Sequence, residues 1–322
     1  MSAADLAMRT PAGAAPMHIG VTGASGLIGS GLIPLLVASG HRVTRLVRRP
    51  ARDGEIQWGG GGPGDAGTFR LDPEALAGMD AIVHLAGENI ARRWTRARKR
   101  KILEGRREGT RVIAEAMART RSLGGPGVLI SASAIGYYGD RGDETLTEAS
   151  SPGTGFLPEV AMAWERATEP AEAAGVRVVR LRIGLALTPA GGLLKRMLPG
   201  FRLGLGGRLG SGRQWMSWIS MDDLLEVFCV AITHPTLAGP LNAVAPEPVR
   251  NAEFTRTLAR LLGRPAVLPV PAFALRLVFG EMADQAILAS GRVLPSVLTG
   301  LGHRYRHATL EAALRHLQGR ER

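Results

Sequence analysis

The chain of 322 residues is 45% hydrophobic, which is enough for one large core or for a main domain with a smaller lobe. No apolar run approaches the roughly 18 residues that span a bilayer, and residues 1–16 lack the continuous apolar region of a secretory signal. We therefore expect a globular, cytoplasmic protein with a disordered tail at 1–16 and no membrane partner, and its net charge of +12 favours an anionic ligand.

Three glycines at three-residue spacing follow the first apolar run. Residues 18–21 predict a buried strand and residues 27–37 predict a helix, with the glycine turn between them. In such a unit the glycines permit a tight turn, the approach of a pyrophosphate and close helix–strand packing, while the first helix amides face the phosphates. The pattern predicts a dinucleotide site at Gly23, Ser25, Gly26, Leu27, Ile28 and Gly29.

A second predicted strand, residues 42–47, ends in Arg48 and Arg49. In dinucleotide-binding folds this strand ends beside the adenosine ribose, where an acidic side chain accepts a hydrogen bond from the 2′-hydroxyl of NAD. Guanidinium groups suit the 2′-phosphate of NADP instead, through charge-assisted contacts. We therefore expect NADP as the cofactor, and the alternative is that both arginines are solvated loop charges.

Strands and helices alternate over the following residues. A glycine-rich run at 59–64 predicts an exposed loop, and apolar strands are predicted at 81–87, 128–131 and 176–183, with helical segments between them. This alternation predicts an α/β fold with a doubly wound parallel sheet, in which ligands gather at the carboxyl ends of the strands. His84, inside one of these strands, is predicted to be a packed core residue.

The densest positive charge lies between residues 92 and 111, where apolar residues recur at helical spacing. We interpret this segment as a helix with a solvated basic face and some contact to cofactor phosphate. A nucleic-acid partner is not expected, because no nucleic-acid-binding motif accompanies the charge. The same helix is suited to a homodimer interface. The single cysteine, Cys229, lies in an apolar run and predicts a packed thiol, and no metal site is predicted.

Three segments resemble the extended branch of the short-chain dehydrogenase/reductase superfamily: the glycine turn after Thr22, the strand end at Leu85, Ala86 and Gly87, and residues 131–140. The resemblance implies that the Leu85–Gly87 backbone lies beside the nicotinamide half of the cofactor. It also implies that the Ser133 hydroxyl polarises the reacting oxygen. The alternative is that Ser131 and Ser133 only satisfy turn amides.

The chain departs from that superfamily at the catalytic acid. Members of the superfamily carry a tyrosine, a lysine four residues later and a glutamate four further on, all on one helix. Counting back from Glu165 places Leu157 and Ala161 at the first two positions, and Tyr-x-x-x-Lys occurs nowhere in the chain. Tyr137 is the first choice for the proton donor because it follows the serine closely, and the alternative is that it is a packed aromatic residue. The full set of candidates is Tyr137, Tyr138, Glu159 and a water held by Ser133.

A long motif in the carboxyl-terminal half narrows the resemblance. The similarity extends from residue 17 to about residue 317 and points to the uncharacterised "epimerase family" proteins among the atypical extended short-chain dehydrogenases. The segments that carry it are 87–90, 93–95, 136–139, 204–223 and 245–249. The resemblance implies an NADP-binding Rossmann domain over 17–185 and 212–245, with a small mixed substrate lobe over 186–211 and 246–322.

Substrate contacts are predicted at Glu88, Asn89, Arg213, Trp215 and Trp218. Core packing is the alternative for the two tryptophans. Arg182, at the end of a predicted strand, is expected to reach the cofactor, with solvent-exposed surface as the alternative. Nucleotide-sugar epimerases carry an arginine that clamps the substrate diphosphate where this chain has Met216, which argues against a nucleotide-sugar substrate. The alternative is that the nearby Arg208 and Arg213 take over the contact with the diphosphate.

These patterns predict an NADP-dependent oxidoreductase or epimerase acting on a small carbonyl or hydroxyl substrate, through a site that lacks Tyr-x-x-x-Lys. The alternative is a non-catalytic NADPH-binding protein with a regulatory or redox-sensing role.

Overall fold

Seven parallel strands form the central sheet of the structure, a computed structural model that describes residues 15–59 and 69–319. In chain order the strands are β1 His18–Thr22, β2 Arg42–Val47, β3 Glu55–Gln57, β4 Ala81–His84, β5 Val128–Ala134, β6 Arg177–Ile183 and β7 Gly239–Ala243. Their spatial order is β7-β6-β5-β4-β1-β2-β3. The order reverses between β1 and β4, and doubly wound sheets bind ligands at this point, beyond the carboxyl ends of the strands. The predicted fold class is confirmed.

Helices follow the strands along the chain. Within the described residues the α-helices are α1 Gly29–Ala38, α2 Arg96–Thr120, α3 Phe156–Arg166, α4 Glu169–Ala173, α5 Gly192–Arg202, α6 Met221–Thr233, α7 Asn251–Leu262, α8 Ala272–Phe279, α9 Ser296–Gly300 and α10 Leu310–Leu317. None of these helices combines the length and the apolar character that crossing a bilayer requires.

Two apolar cores cover the two faces of the sheet. On one face Ile19 and Val83 pack with residues of α1 and α6, such as Leu32 and Phe228. On the other face Ile82 and its neighbours pack with residues of α2 and α4. Successive side chains of a strand point to opposite faces, so β4 contributes Val83 to one core and Ile82 to the other. Cys229 of α6 is buried, as predicted, and burial raises the pKa of its thiol to about 12.

The carboxyl-terminal residues build a further core of their own. Helices α5, α7 and α10 enclose Trp218, Phe254 and Leu314. Three pairs of short strands lie around this region: Leu185–Leu187 with Trp218–Ser220, Trp215–Met216 with Val249–Arg250, and Thr145–Leu146 with Arg292–Val293.

The structure refines several sequence predictions. The apolar region after β5 forms two helices, α3 and α4, because Pro170 lacks the N–H that a continuous helix would need. The short strand β3 was not predicted. Residues 1–14 of the predicted tail and residues 60–64 of the predicted glycine loop lie outside the described residues.

Candidate functional site

The glycine turn between β1 and α1 leaves no room for side chains at two of its three glycines. Gly23 has a φ of +66°, and a Cβ there would lie 2.8 Å from the carbonyl carbon of Leu85. A Cβ at Gly29 would lie 2.5 Å from the Gly23 carbonyl oxygen. At Gly26, by contrast, a Cβ would meet only that oxygen, at 3.1 Å. The backbone is therefore closely packed around Gly23 and Gly29, whereas the space above Gly26, on the side where its Cβ would lie, is open. A ligand that binds at the turn requires such a space.

The Thr22 hydroxyl joins the glycine turn to the loop after β4. Its oxygen accepts hydrogen bonds from the backbone N–H groups of Leu85 and Ala86, at 3.1 and 3.2 Å, and lies 2.8 Å from Nδ1 of His84. The Leu85–Gly87 backbone is thereby held against Gly23. Both loops follow the carboxyl ends of β1 and β4, where the strand order reverses.

We expect His84 to make the free energy of unfolding fall below pH 6.5. The imidazole is fully buried, as predicted, and burial lowers its pKa from 6.5 to about 3. Between these two pH values the unfolded chain binds the extra proton, so acid favours unfolding by about 1.4 kcal/mol per pH unit. Urea unfolding from pH 7 to pH 4.5 measures this slope.

The matched variant for this measurement is His84→Gln, which removes the titrating group. Burial also lowers the pKa of His41 and of His303, and both histidines remain in the variant. The slope should therefore become shallower without disappearing. An identical slope in the two proteins would show that His84 does not titrate in this way.

Arg48 and Arg49 differ in their surroundings. Nη2 of Arg49 lies 2.7 Å from Oε1 of Glu55 on β3, and Nη1 donates to the Pro50 carbonyl at 2.8 Å. Arg48 is exposed and has no side-chain hydrogen bond or ion pair within residues 15–59 and 69–319. Of the two, Arg48 has the guanidinium that is available to an incoming phosphate.

Ser133 belongs to a buried ionic cluster between the sheet and α3. Its hydroxyl donates to Oε1 of Glu165 at 2.7 Å, and Arg182 donates to both oxygens of that carboxylate at 2.8 Å. Ser133 and Arg182 are partners in the β5–β6 register, which brings both side chains to the same face beneath α3. In the sequence, Glu165 marks only the spacing along the superfamily's catalytic helix, so its bond to Ser133 was not predicted.

The alternative that Arg182 lies on the surface is wrong, and its contact with the cofactor stays a prediction. The side chain is 4% exposed, and its guanidinium is bound to Glu165, to the Tyr138 hydroxyl at 3.0 Å and to the Glu148 carbonyl. Burial alone would lower the pKa of Arg182, but hydrogen bonds and charge from Glu165 outweigh it and raise the pKa. Arg182 is therefore an internal cation.

The two adjacent tyrosines have different roles in this cluster. Tyr138 is fully buried and donates to Oδ1 of Asn242 at 2.7 Å, and burial raises its pKa. Tyr137 is partly exposed, and the Arg182 guanidinium lies 3.5 Å from its ring centroid. Its hydroxyl has no hydrogen bond to any described residue. The Tyr137 ring is therefore held against the Arg182 guanidinium, and its hydroxyl has no partner among the described residues.

Helix α3 carries apolar residues where the superfamily carries its acid and its lysine. Leu157 packs on Gly136, where a Cβ would lie 3.3 Å from the Leu157 Cβ, and Ala161 is buried. The amino end of the helix is capped from the carboxyl-terminal region. Oε1 of Gln285 accepts from the N–H groups of Phe156 and Leu157, at 2.7 and 3.3 Å.

Comparison with known proteins agrees with this fold and this glycine turn. Residues 19–243 match the model of the NAD dependent epimerase/dehydratase family, and residues 270–317 match a domain of unknown function, DUF1731. The chain belongs to the NAD-dependent epimerase/dehydratase family.

Relatives of this epimerase-family chain cover almost its whole length. "Epimerase family protein Mb2239" of Mycobacterium bovis is 46% identical over 298 residues, 92% of this chain and 96% of that protein. The crystal structure of human epimerase family protein SDR39U1 with NADPH is 33% identical, with a TM-score of 0.82, and the match covers 94% of this chain and 99% of that chain.

A third relative is longer than this chain. The crystal structure of the nucleoside-diphosphate sugar epimerase from Corynebacterium glutamicum is 37% identical, with a TM-score of 0.79. The match covers 99% of this chain but 62% of that one, so the epimerase-family chain described here spans less than two thirds of this relative. The family resemblance inferred from the motifs is confirmed.

In this epimerase-family protein the loop after β4 is fixed by the basic helix α2. Nη2 of Arg98 lies 3.1 Å from Oε1 of Glu88 and donates to the Asn89 carbonyl at 2.6 Å. The Asn89 side chain accepts from the N–H of Ala91 at 2.8 Å. Both predicted substrate residues thus have partners within the protein, and Asn89 remains exposed.

The two tryptophans predicted to contact substrate have different environments. Trp218 is fully buried in the carboxyl-terminal core, and its indole N–H donates to the Glu247 carbonyl at 3.0 Å, so the prediction that it contacts substrate is wrong. Trp215 is partly exposed, with the guanidinium groups of Arg250 and Arg292 at 4.1 and 4.9 Å from its ring.

The side chains of Arg213 and Met216 also lie in different environments. Arg213 lines an open cavity of about 450 Å³ together with Arg250 and Arg276. Met216 is buried, with its sulfur 3.4 Å from Nδ2 of Asn251. The position where nucleotide-sugar epimerases carry a clamping arginine therefore faces the interior.

Proposed function

We propose that this protein binds NADP(H) at the glycine turn and uses it in oxidoreductase or epimerase chemistry on a small carbonyl or hydroxyl substrate. The observation that carries the proposal is the open space above Gly26, between two loops that the Thr22 hydroxyl joins. A diphosphate fits such a turn because backbone N–H groups and the amino end of a helix face it. The human relative crystallised with NADPH supports the same cofactor.

Each end of the cofactor has a proposed contact. The backbone from Gly23 to Gly29, including Ser25, Leu27 and Ile28, would hold the diphosphate, and Arg48 would hold the 2′-phosphate. The Leu85–Gly87 backbone would border the nicotinamide half. When bound, the nicotinamide supplies hydride transfer, and the chain supplies position and proton exchange.

For proton exchange we favour Tyr137. Ser133 already donates to Glu165, and Tyr138 already donates to Asn242, whereas the Tyr137 hydroxyl has no partner among the described residues. While bound to Glu165, Ser133 can accept a hydrogen bond from a substrate hydroxyl but cannot donate one to a carbonyl. Ser133 is then a positioning residue and Tyr137 is the proposed acid or base.

The test of the cofactor proposal is Arg48→Ala, with Arg49→Ala as the matched control. A charged hydrogen bond contributes about 1.5–3 kcal/mol, so we expect NADPH affinity to fall by about 10- to 100-fold in Arg48→Ala. NADH affinity should not change, since NADH lacks the 2′-phosphate. Arg49→Ala should lose less, because Arg49 is bound to Glu55.

Isothermal titration calorimetry of each variant with NADPH and with NADH gives the four affinities. An unchanged preference for NADPH over NADH in Arg48→Ala would remove Arg48 from the cofactor site. Failure of the unaltered protein to bind either nucleotide would defeat the proposed function.

A second function, cofactor binding without turnover, is favoured by one observation. Leu157 and Ala161 leave α3 without any group that can exchange a proton at the two positions used by the superfamily. A regulatory NADPH-binding protein would hold the cofactor and leave it unoxidised when offered a panel of carbonyl compounds. Turnover that is lost in Tyr137→Phe would decide for the enzyme.

A further inference from the structure

Arg106 of helix α2 lies against the loop that borders the proposed nicotinamide site. A Cβ at Gly87 would be 3.4 Å from both its guanidinium carbon and Nη2. The same guanidinium carbon lies 4.8 Å from the ring centroid of Trp164 on α3. The group therefore lies between two helices and directly against the Gly87 backbone.

The charge of Arg106 is not neutralised by the protein. Four other cations of α2 have carboxylate partners: Arg98 with Glu88, Lys99 with Glu281, and Arg107 and Arg111 with Glu108. Arg106 makes only a long hydrogen bond, 3.4 Å, to the Ile102 carbonyl, and within residues 15–59 and 69–319 it has no ion pair.

Burial has a measurable effect on this cation. It lowers the pKa of Arg106 to about 10, and the charge of Glu88 offsets only part of the cost. At neutral pH the guanidinium is still protonated. A partly desolvated cation without an ion-pair partner is unfavourable, and a bound anion would relieve this cost.

A buried donor beside Arg106 lacks an acceptor within the described residues. Trp164 is 6% exposed, and its indole N–H has no hydrogen-bond partner in the part of the chain that the structure describes. The guanidinium covers the ring that carries this N–H. Buried donors are normally satisfied, so an unmatched indole N–H beside a guanidinium without an ion pair indicates that their acceptor is a ligand.

We propose that Arg106 binds an oxyanion, a carboxylate or a phosphate, of the molecule that occupies this site. The proposal rests on the proposed function for the identity of the site. A planar guanidinium matches the paired oxygens of both groups, and stacking on Trp164 holds it in orientation. The oxyanion belongs either to an acidic substrate or to the cofactor diphosphate, and the two sources give different results.

The experiment uses the full chain and the variants Arg106→Gln, Arg106→Lys and Arg107→Gln. Arg107 is the matched control, because it is the next residue of the same helix and is paired with Glu108 on the surface. Inorganic phosphate, and separately acetate, is titrated at constant ionic strength into protein saturated with NADP⁺, while tryptophan fluorescence is recorded. Calorimetry gives the NADP⁺ affinity of each variant.

If the oxyanion belongs to an acidic substrate, the fluorescence change should saturate as the anion is added. The anion affinity should then be at least tenfold lower in Arg106→Gln, intermediate in Arg106→Lys and unaltered in Arg107→Gln. The change should be absent in Trp164→Phe, which identifies the reporting ring. NADP⁺ affinity would then be the same in all variants. If instead NADP⁺ affinity falls tenfold in Arg106→Gln and the saturated protein binds no phosphate or acetate, the oxyanion is the cofactor diphosphate.

Arg106→Gln that binds NADP⁺, phosphate and acetate as the unaltered protein does would overturn the proposal. Thermal melting of each variant checks that the fold is retained, and Arg106→Lys keeps the test decisive if Arg106→Gln does not fold. If the unaltered protein binds no NADP⁺, the proposed function fails by itself. The anion titrations of the cofactor-free protein then still decide the role of Arg106.

Discussion

Glu165→Ala is expected to destabilise the protein by about 3–5 kcal/mol, because it leaves the Arg182 guanidinium buried without its counter-charge. The arginine side chain is 4% exposed and loses both of its bonds to the carboxylate. The Ser133 hydroxyl loses its acceptor in the same step. The free energy of unfolding in urea measures the loss directly.

Glu172→Ala is the control for that experiment. Glu172 also pairs with an arginine of β6, Arg180, but it is 47% exposed. Exposed pairs contribute at most about 1 kcal/mol, so the control should remain near the stability of the unaltered protein. Equal losses in the two variants would contradict the account of Glu165.

A double variant separates loss of the ion pair from loss of packing. Glu165→Leu with Arg182→Met removes both charges and keeps most of the buried volume. Replacing a buried pair with apolar side chains is often neutral, so the double variant should be more stable than Glu165→Ala. A double variant as unstable as the single one would indicate that packing, not charge, causes the loss.

Gly26→Ala is expected to lower NADPH affinity by about 10- to 100-fold while the melting temperature stays near that of the unaltered protein. The added methyl group would meet only the Gly23 oxygen, at 3.1 Å, and a shift of a few tenths of an ångström in the exposed turn relieves this contact. It projects instead into the space proposed for the diphosphate, and forcing a ligand against an extra methyl costs about 1–3 kcal/mol. Calorimetry and thermal melting measure the two effects separately.

Gly31→Ala, in the first turn of helix α1, is the matched control. A Cβ there contacts the Leu225 side chain at 3.1 Å, inside the core and away from the turn. This variant should keep its NADPH affinity, because its methyl group meets the end of a core side chain and not the space proposed for the diphosphate. Gly26→Ala that binds NADPH normally would move the cofactor away from this turn.

The correct predictions depended on patterns of residues that are close together in the sequence. Strands β1 and β2, the glycine turn and the burial of His84 and Cys229 follow from residues close to one another in the chain, whose periodicity and size determine where they lie. The family resemblance covered the motifs on both sides of the turn. These features depend little on which distant residues meet.

Distant pairing explains the failures. Glu165 and Ser133 are 32 positions apart, and Glu165 and Arg182 are 17 apart, so no spacing rule links them. The prediction for Arg182 therefore did not include the carboxylate of α3 that binds it. Trp215 and Trp218 have the same residue type and similar neighbours, and only the position of the carboxyl-terminal helices determines that Trp218 is in the core.

The Gln285 side chain, which belongs to the DUF1731 segment, caps the amino end of α3, the helix that borders the proposed reaction site. Gly155 has a φ of +109°, and a Cβ there would lie 3.0 Å from Oε1 of Gln285, so the glycine lets this side chain reach the first turn of α3. In a chimera whose carboxyl-terminal segment comes from another relative, the amino end of α3 would keep a hydrogen-bond acceptor only if that relative has a suitable side chain at the position of Gln285. Exchange of lobes between relatives, as a route to new substrates, is thus constrained by a single amide.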